Sequence, residues 1–298
     1  MKKNRLLLIC ILLNSLSIQQ IKAGEIALTF DDAPLAGSAL MSGEEKTDRI
    51  IKQLKKHKVP DALFFVTTSN FQDNAKARLN RYTDAGFHLA NHSHSHISAN
   101  KISANDYLKD FYQSHLILND FKNVLKFHRF PFLHYGDTPL KRSKINAGLN
   151  ELSYQIGYTT VDNYEWYINA RATQAADNNI DINFTQLREL YINTLWNSIT
   201  FYDNIAKTHL GRSPKHVLLL HENEMAALFL GDLIELLRNK GWEIISPQAA
   251  YNDPIAKEFS PLDLHFNNQG RVAAIAHSKG ANNKELHHPS EDTKFLDA

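Results

Sequence analysis

Thiols are almost absent from this chain. Cys10 is the single cysteine in 298 residues, so no disulfide can form within it and the fold must rest on its packed core. Neither sign of charge is in excess: 33 Lys+Arg stand against 32 Asp+Glu, a formal net charge of +1. That excludes the basic footprint of a nucleic-acid binder and the acidic, aromatic-poor composition of a solvating disordered chain. The partners expected are neutral or weakly charged molecules, with no nucleic acid among them. No apolar run reaches the ~20 residues that a membrane-spanning helix needs, so no stable membrane span is expected. A Gly-x-Ser-x-Gly nucleophile elbow is missing too, which weakens a serine-hydrolase reading. No internal repeat and no Pro- or Ser-rich linker interrupts the chain. Its length fits one large α/β domain.

What the N-terminus does have is a targeting pattern. Lys2, Lys3 and Arg5 precede the apolar run Leu6–Leu13, and Ile21-Lys22-Ala23 ends on the small residue that a signal peptidase needs. Residues 1–23 are therefore expected to be a cleaved signal peptide that takes Cys10 with it. The mature protein is expected to be exported, either periplasmic or secreted.

Beyond Glu25, short apolar runs alternate with amphipathic stretches. The strand candidates are Ile26–Phe30, Ala62–Thr67, Phe87–Asn91, Lys126–Phe130, Tyr158–Val161, His216–Leu220 and Trp242–Ile245. Helical patterns lie between them at Thr47–His57, Ala75–Ala85 (with Asn74 as N-cap), Ser103–Phe121, Pro139–Tyr158, Phe184–Leu210 and Leu228–Asn239. Such alternation predicts parallel βαβ units, in either a doubly wound sheet or a (β/α) barrel. The barrel is favoured because unusual polar residues fall at the C-terminal ends of separate strands: Asp31/Asp32, His92, Arg129, Asp162 and His221. That edge is where (β/α) barrels build their sites. The reading is thus an α/β, distorted (β/α) barrel of about seven parallel strands over residues 24–251. Ala170–Ile182 is expected as a surface loop. Residues 252–298 are expected as an extension with a short hairpin in Leu262–Ala276 and a loose tail from His277, whose His287 and His288 read as solvated surface.

Four clusters carry chemistry. Thr29-Phe30-Asp31-Asp32-Ala33-Pro34 ends an apolar strand on two adjacent carboxylates, an arrangement that is costly unless one binds a cation or the two share protons. Alone it reads equally well as a loop start in which Asp32 caps a turn. His92-Ser93-His94-Ser95-His96 follows the third strand; if this segment turns helically, its first and last imidazoles reach one ion while His94 points elsewhere. Arg129-Phe130-Pro131-Phe132 brings a guanidinium into the barrel mouth, where Asp31 is a natural partner. Leu218-Leu219-Leu220-His221-Glu222-Asn223 caps a wholly apolar strand with a histidine placed to donate a proton, and Asp162 or Glu165 could supply the acid that tunes it. Together they make a hydrolase site. Asp32, His92 and His96 offer two nitrogens and a carboxylate with coordination positions left open. A metal there would acidify water and polarise a carbonyl, leaving Asp31 as general base and His221 as general acid for a leaving amine.

In their order, TFDDAP, HSHSH, RFPF, DNYEW and LLLHEN resemble the five motifs of the polysaccharide deacetylases, carbohydrate esterase family 4 or the NodB-homology domain. The resemblance runs from about Glu25 to Pro247. It implies a distorted (β/α) barrel and a divalent metal, usually zinc and sometimes cobalt or another ion. By position it implies Asp31 as base, Asp32, His92 and His96 as metal ligands, and Arg129 as orienter of the base. It also implies Leu219 and Trp166 lining the acetyl pocket, His221 as acid and the backbone N–H of Phe132 holding the oxyanion.

Three departures stand out. Ala33 occupies a usual glycine position, the segment after Pro131 is longer or shifted, and Glu165 replaces the Asp expected to tune His221. The function expected is removal of N-acetyl groups from N-acetylglucosamine-type polymers: peptidoglycan, chitin-like or exopolysaccharide chains. The alternatives are an O-acetyl esterase, a deacylase or deformylase of a lipid-linked sugar, and a non-catalytic glycan binder on the same fold. No appended wall-anchoring module narrows the polymer, and nothing selects an oligomeric state.

Overall fold

The apolar run Ile26–Phe30 forms the middle of a ten-residue strand, and every other element of the fold is placed by what pairs with it. The computed structural model describes residues 23–72, 74–258 and 270–297. In chain order the elements are β1 (Gly24–Ala33), α1 (Gly43–Lys56), β2 (Leu63–Val66), α2 (Ala75–Asp84), β3 (His88–Asn91), α3 (Ala104–Leu118), β4 (Val124–His128), α4 (Pro139–Glu151) and β5 (Gln155–Ile156). They continue with α5 (Glu165–Asp177), α6 (Phe184–Leu210), β6 (Lys215–His221), α7 (Glu224–Asn239), β7 (Trp242–Ile244), α8 (Pro247–Tyr251), α9 (Arg271–Ser278) and α10 (Thr293–Leu296). Helix starts follow side-chain chemistry: Ser42, Ser103, Thr138, Asn183, Asn223 and Ser246 each accept a backbone N–H of the following first turn. The long α6 stops at Gly211, whose φ of 74° supplies the left-handed residue that ends it.

All strand pairs are parallel, in the order β5-β4-β3-β2-β1-β6, with β7 beside the start of β1. The segment after β5 then curls the sheet back on itself. Gly157 N–H donates to His128 O, Thr160 and Val161 N–H donate to Val217 O, and Leu219 N–H donates to Val161 O. One stretch of chain therefore bridges β4 to β6 and gives the distorted (β/α) barrel expected from the sequence. Strands buried on both faces explain the near-continuous apolar runs of β1, β2 and β6. Register matters more than shape for the site: Asp31 pairs with His221, and Asn91 with His128, so the polar residues that end these strands share one level.

Several expectations need correction. Ala170–Ile182 is not simply a loop, because its first half belongs to α5; an Ala-rich stretch with Ile168 and Ala172 buried on one face favours helix. α4 ends at Glu151, where Ser153 takes φ 61° and turns the chain into β5 before Tyr158. The Asn74 amide does not cap α2 but donates to Glu44 Oε1 at 2.7 Å. Residues 270–276 are not half of a hairpin: α9 begins at Arg271 and lies against α6. The chain from His277 is packed rather than loose, with Leu286 fully buried and Tyr202 O–H donating to Glu291 Oε1 at 2.7 Å. His288 is likewise tied in, its side chain accepting the Ser290 N–H, while His287 is half-exposed beside Glu291. The proposed signal peptide, residues 1–23, lies outside the described residues except for Ala23.

Candidate active site

The C-terminal ends of β1 and β3 bring three ligand atoms together. Oxygen and nitrogen atoms of Asp32, His92 and His96 all lie within 4.8 Å of one another, the one such cluster among the described residues. Asp32 Oδ1 is 3.6 Å from His92 Nε2 and 3.2 Å from His96 Nε2. The segment does not turn as a helix, contrary to the condition set from the sequence. Ser93 at φ 70° and His96 at φ 53° reverse it instead, and Asp110 of α3 gathers the His94 and Ser95 N–H groups. His94 does point away, bonding Thr68 Oγ1 and Gln113.

The donor set fits a metal ion on grounds internal to this chain. His92 Nδ1 is 2.9 Å from the Arg129 carbonyl oxygen, which can only accept, so the proton sits on Nδ1 and the Nε2 lone pair faces Asp32. Burial, reinforced by His96, pushes the His92 ring down to about 3, leaving it neutral as a ligand must be. Asp32 is steadied by Thr67 Oγ1 at 3.2 Å and, through its backbone carbonyl, by Asn70. Five non-glycine residues around the cleft take left-handed backbone: Asp32, Ser93, His96, Phe132 and Leu133. Such conformations cost of order 1 kcal/mol or more each and persist where the surroundings impose them.

Asp31 stands beside this cluster, 3% exposed, with Oδ2 3.7 Å from His92 Nε2. Its Oδ1 accepts from Arg129 Nη1 at 2.6 Å. Arg129 is fully buried and also donates to Thr29 Oγ1, to the Gly157 carbonyl and to the Tyr251 hydroxyl. Thus Arg129 and Asp31 are partners, as their sequence positions suggested.

Across the β1–β6 register stands His221. Glu165 Oε1 lies 2.7 Å from its Nδ1 and accepts its backbone N–H at 2.8 Å, while Glu165 Oε2 accepts from Asn223 Nδ2 at 2.6 Å. Burial works against the imidazolium, but the Glu165 hydrogen bond and charge outweigh it and raise His221 to about 9. The extra methylene of Glu165 relative to Asp therefore does not break this contact. Asp162 does not take it over: its Oδ1 accepts the Asn163 N–H, and its carboxyl is raised by burial and then by the Glu291 charge.

Asp31, Asp32, His92, His96, Asp162 and His221 line one cleft of ≈ 510 Å³ together with Leu219, Trp166 and Phe132, while Arg129 and Glu165 lie buried behind it. Leu219 is buried in its lining, whereas Trp166 is 41% exposed. The Phe132 ring lies 4.5 Å from that of His96. Pro131–Leu133 is a tight turn kinked at Phe132, whose φ of 59° is not helical, which is how the chain accommodates the altered segment after Pro131. Sequence reasoning missed Asn223, Asn169, Leu35, Thr67 and Tyr251. Only Asn223 carried a signal, as an N-cap type directly after the histidine strand.

The polysaccharide deacetylase family model matches residues 19–150. A peptidoglycan-N-acetylglucosamine deacetylase of Bacillus cereus is 29% identical over 143 residues, 48% of this chain and 46% of that protein, so the match spans about half the length of the curated relative. Solved structures with the same fold include a peptidoglycan deacetylase from Bacillus subtilis (TM-score 0.53, 20% identity, covering 81% of this chain and 94% of that one). A family 4 carbohydrate esterase pseudoenzyme from Bacillus anthracis matches at TM-score 0.55 and 16% identity, over 78% of this chain and 66% of that one. A family 4 carbohydrate esterase from Streptomyces lividans, in complex with acetate, matches at TM-score 0.51 and 19% identity, over 77% and 96%. Because the fold also occurs in a pseudoenzyme, likeness of fold cannot decide activity, and the side chains must. The chain is thus similar to the polysaccharide deacetylase family over residues 19–150, and this barrel, with the motif clusters converging on one cleft, agrees with that likeness.

Proposed function

We propose that this protein is an exported, metal-dependent deacetylase that removes N-acetyl groups from N-acetylglucosamine-type polysaccharide. The observation that carries the reading is one convergence. Three ligand atoms lie within 4.8 Å of one another at the ends of β1 and β3, and Asp31 and His221 sit level beside them on paired strands. A pure binder has no use for a base and an acid so placed.

Asp32, His92 and His96 would hold a divalent cation, zinc by donor type or another such as cobalt. When bound it supplies Lewis-acid polarisation of the acetyl carbonyl and a more acidic water. Arg129 fixes Asp31 Oδ1, so Oδ2 is the oxygen left to take a proton from the attacking water. His221 gives its Nδ1 side to Glu165, so Nε2 carries the proton offered to the departing amine. An amide needs this second group, because an unprotonated amine leaves very poorly. Leu219 and Trp166, both lining the cleft, would supply an apolar wall for the acetyl methyl, and the backbone N–H of Phe132, which also lines it, would hold the developing oxyanion. The aromatic rim of Trp166 and Tyr164 suits a sugar face.

The test is acetate release from chito-oligosaccharides and from peptidoglycan, comparing wild type, chelated protein with Zn²⁺ or Co²⁺ restored, and the Asp31→Asn and His92→Ala variants. Acetate that appears, vanishes with chelator and with both substitutions, and returns with metal supports the reading. Tight metal binding with acetate released only from ester or lipid-linked sugars would move the substrate class. Failure to bind any divalent ion would overturn the metal site itself.

A further inference from the structure

Between the two histidine ligands the chain passes through Ser93, His94 and Ser95, which belong to no helix or strand. Among the described residues, the four backbone N–H groups from Ser93 to His96 donate to side-chain oxygens and none to a carbonyl. Ser93 N–H donates to Asn91 Oδ1 at 2.8 Å and His96 N–H to Ser93 Oγ at 3.0 Å, so the ends of the turn are closed from within. The middle two groups reach outside it. His94 N–H donates to Asp110 Oδ2 at 2.8 Å, and Ser95 N–H to Asp110 Oδ1 at 3.1 Å. The Ser95 hydroxyl adds a bond to Oδ1 at 2.5 Å. One half-buried carboxylate on α3 therefore takes three donors of the turn.

Such a turn is costly on its own. Ser93 at φ 70° and His96 at φ 53° occupy the left-handed region, which L side chains avoid. No ladder of backbone bonds offsets that cost, so the spacing of His92 and His96 depends on the side chains that grip the turn. Gln113 follows Asp110 by one helical turn on α3, and its Nε2 is 3.0 Å from His94 Nε2. From the other side Thr68 Oγ1 is 2.9 Å from His94 Nδ1, and Ser69 N–H donates to the His94 carbonyl at 2.8 Å. His94, which takes no part in the ligand set, is thus the strut by which α3 and the end of β2 hold the turn.

We propose that Asp110 is a positioning residue for the metal site. By taking the His94 and Ser95 N–H groups it fixes the relative placement of the His92 and His96 rings before an ion arrives, and so sets how tightly the ion is bound. Ligands that must be ordered during binding lose affinity by the cost of ordering them. Asp110 acts only through the turn, from outside the motif clusters. The inference rests on the metal-dependent reading above and deepens it, by naming a residue that governs the affinity of that site.

The experiment is Zn²⁺ affinity of the full chain, measured by competition with a chelator, for wild type, Asp110→Ala, Asp110→Asn and Asp106→Asn. Groups that orient metal ligands are typically worth about 10–100-fold in metal affinity. Asp110→Ala should weaken Zn²⁺ binding by that factor. Asp110→Asn should fall between it and wild type, because its amide oxygen still accepts while its nitrogen cannot. Asp110→Asn keeps the shape and carries the test if Asp110→Ala does not fold. Asp106 lies one turn earlier on the same helix, exposed, and bonds Ser103 and Lys109. Asp106→Asn removes the same charge from α3 without touching the turn, and an exposed charge is screened by salt, so affinity should change less than about twofold. Thermal melts of the metal-free variants accompany the titrations. A merely structural Asp110 would lower the melting temperature and leave the Zn²⁺ affinity of the folded protein at the wild-type value. That result, or an Asp106→Asn loss equal to that of Asp110→Asn, overturns the inference and leaves the metal site standing. A wild type that binds no Zn²⁺ removes the metal site and the inference together.

Discussion

Glu165 Oε1 accepts both the side-chain N–H and the backbone N–H of His221, at 2.7 and 2.8 Å, so one carboxylate oxygen fixes the ring and the strand end that carries it. The same contact keeps the imidazole charged to about pH 9, above the ordinary value of about 6.5. Removing the charge with Glu165→Gln leaves burial as the leading influence, so the His221 midpoint in the metal-free protein should fall to or below about 6.5. A general acid is lost as pH rises through its midpoint, so the alkaline limb of the rate profile should move to lower pH. The fall in kcat at neutral pH should approach the roughly 10²–10⁴-fold worth of such a group. The linkage has a definite sign: folded pKa above unfolded pKa means stabilisation that is complete below about 6.5 and lost as pH rises through about 9. Imidazole titration by NMR decides the matter, and a midpoint unmoved by the substitution would remove Glu165 from this role.

Arg129 makes the second prediction. Fully buried, it holds Asp31, Thr29, Gly157 and Tyr251 together at the centre of the barrel mouth. Arg129→Met removes the partner of a buried carboxylate and should cost about 3–5 kcal/mol. Tyr251→Phe removes one hydroxyl from the same network and should cost about 1 kcal/mol. Urea unfolding of both variants measures this, and an Arg129→Met cost under about 1 kcal/mol would mean that Asp31 finds another partner.

These contacts also show which parts of the molecule were legible in the sequence. The strands were readable because a barrel buries both faces of β1, β2 and β6, which writes an unbroken apolar run into each. The strand-end polar residues were readable because no apolar run needs to stop on Asp31-Asp32 or His221 for packing reasons. The site's supports were harder. Thr67, Tyr251 and Asn169 are ordinary residue types, and only three-dimensional contact distinguishes them. α5 was hidden because Ala170–Ile182 is polar enough to resemble a loop; its helix is set by small residues and by one buried face against α6 and α7. The tail was misjudged because its apolar content is thin: Leu286 and the small residues of α9 bury well without making a long hydrophobic pattern.

Behind the catalytic strand end, Glu222 is fully buried and takes hydrogen bonds from Arg78, Tyr82, Thr47 and the Leu35 N–H. Arg78 in turn donates to the Leu35 carbonyl, so this ion pair clamps the loop that follows Asp31-Asp32 and forms part of the cleft. Glu222→Gln keeps the shape and removes the charge, leaving Arg78 buried without its counter-ion. A loss of about 3–5 kcal/mol is expected. Arg78→Met alone should cost a similar amount. The double variant Glu222→Gln, Arg78→Met should cost less than the two single costs added together, because each single change already strands the other charge. Strict additivity in a double-mutant cycle would show that the two groups do not depend on one another.

The C-terminal segment gives a prediction in which the two views of it differ outright. A loose tail makes every substitution there nearly silent, whereas a packed one makes cost follow burial. Leu286 is fully buried and Phe295 is 56% exposed, although Phe295 is the larger side chain. Leu286→Ala should therefore destabilise by about 2–5 kcal/mol, while Phe295→Ala should stay within roughly 0.5 kcal/mol. Thermal or urea unfolding of the pair distinguishes the cases: equal, small effects would mean that the segment does not hold its packed position in solution.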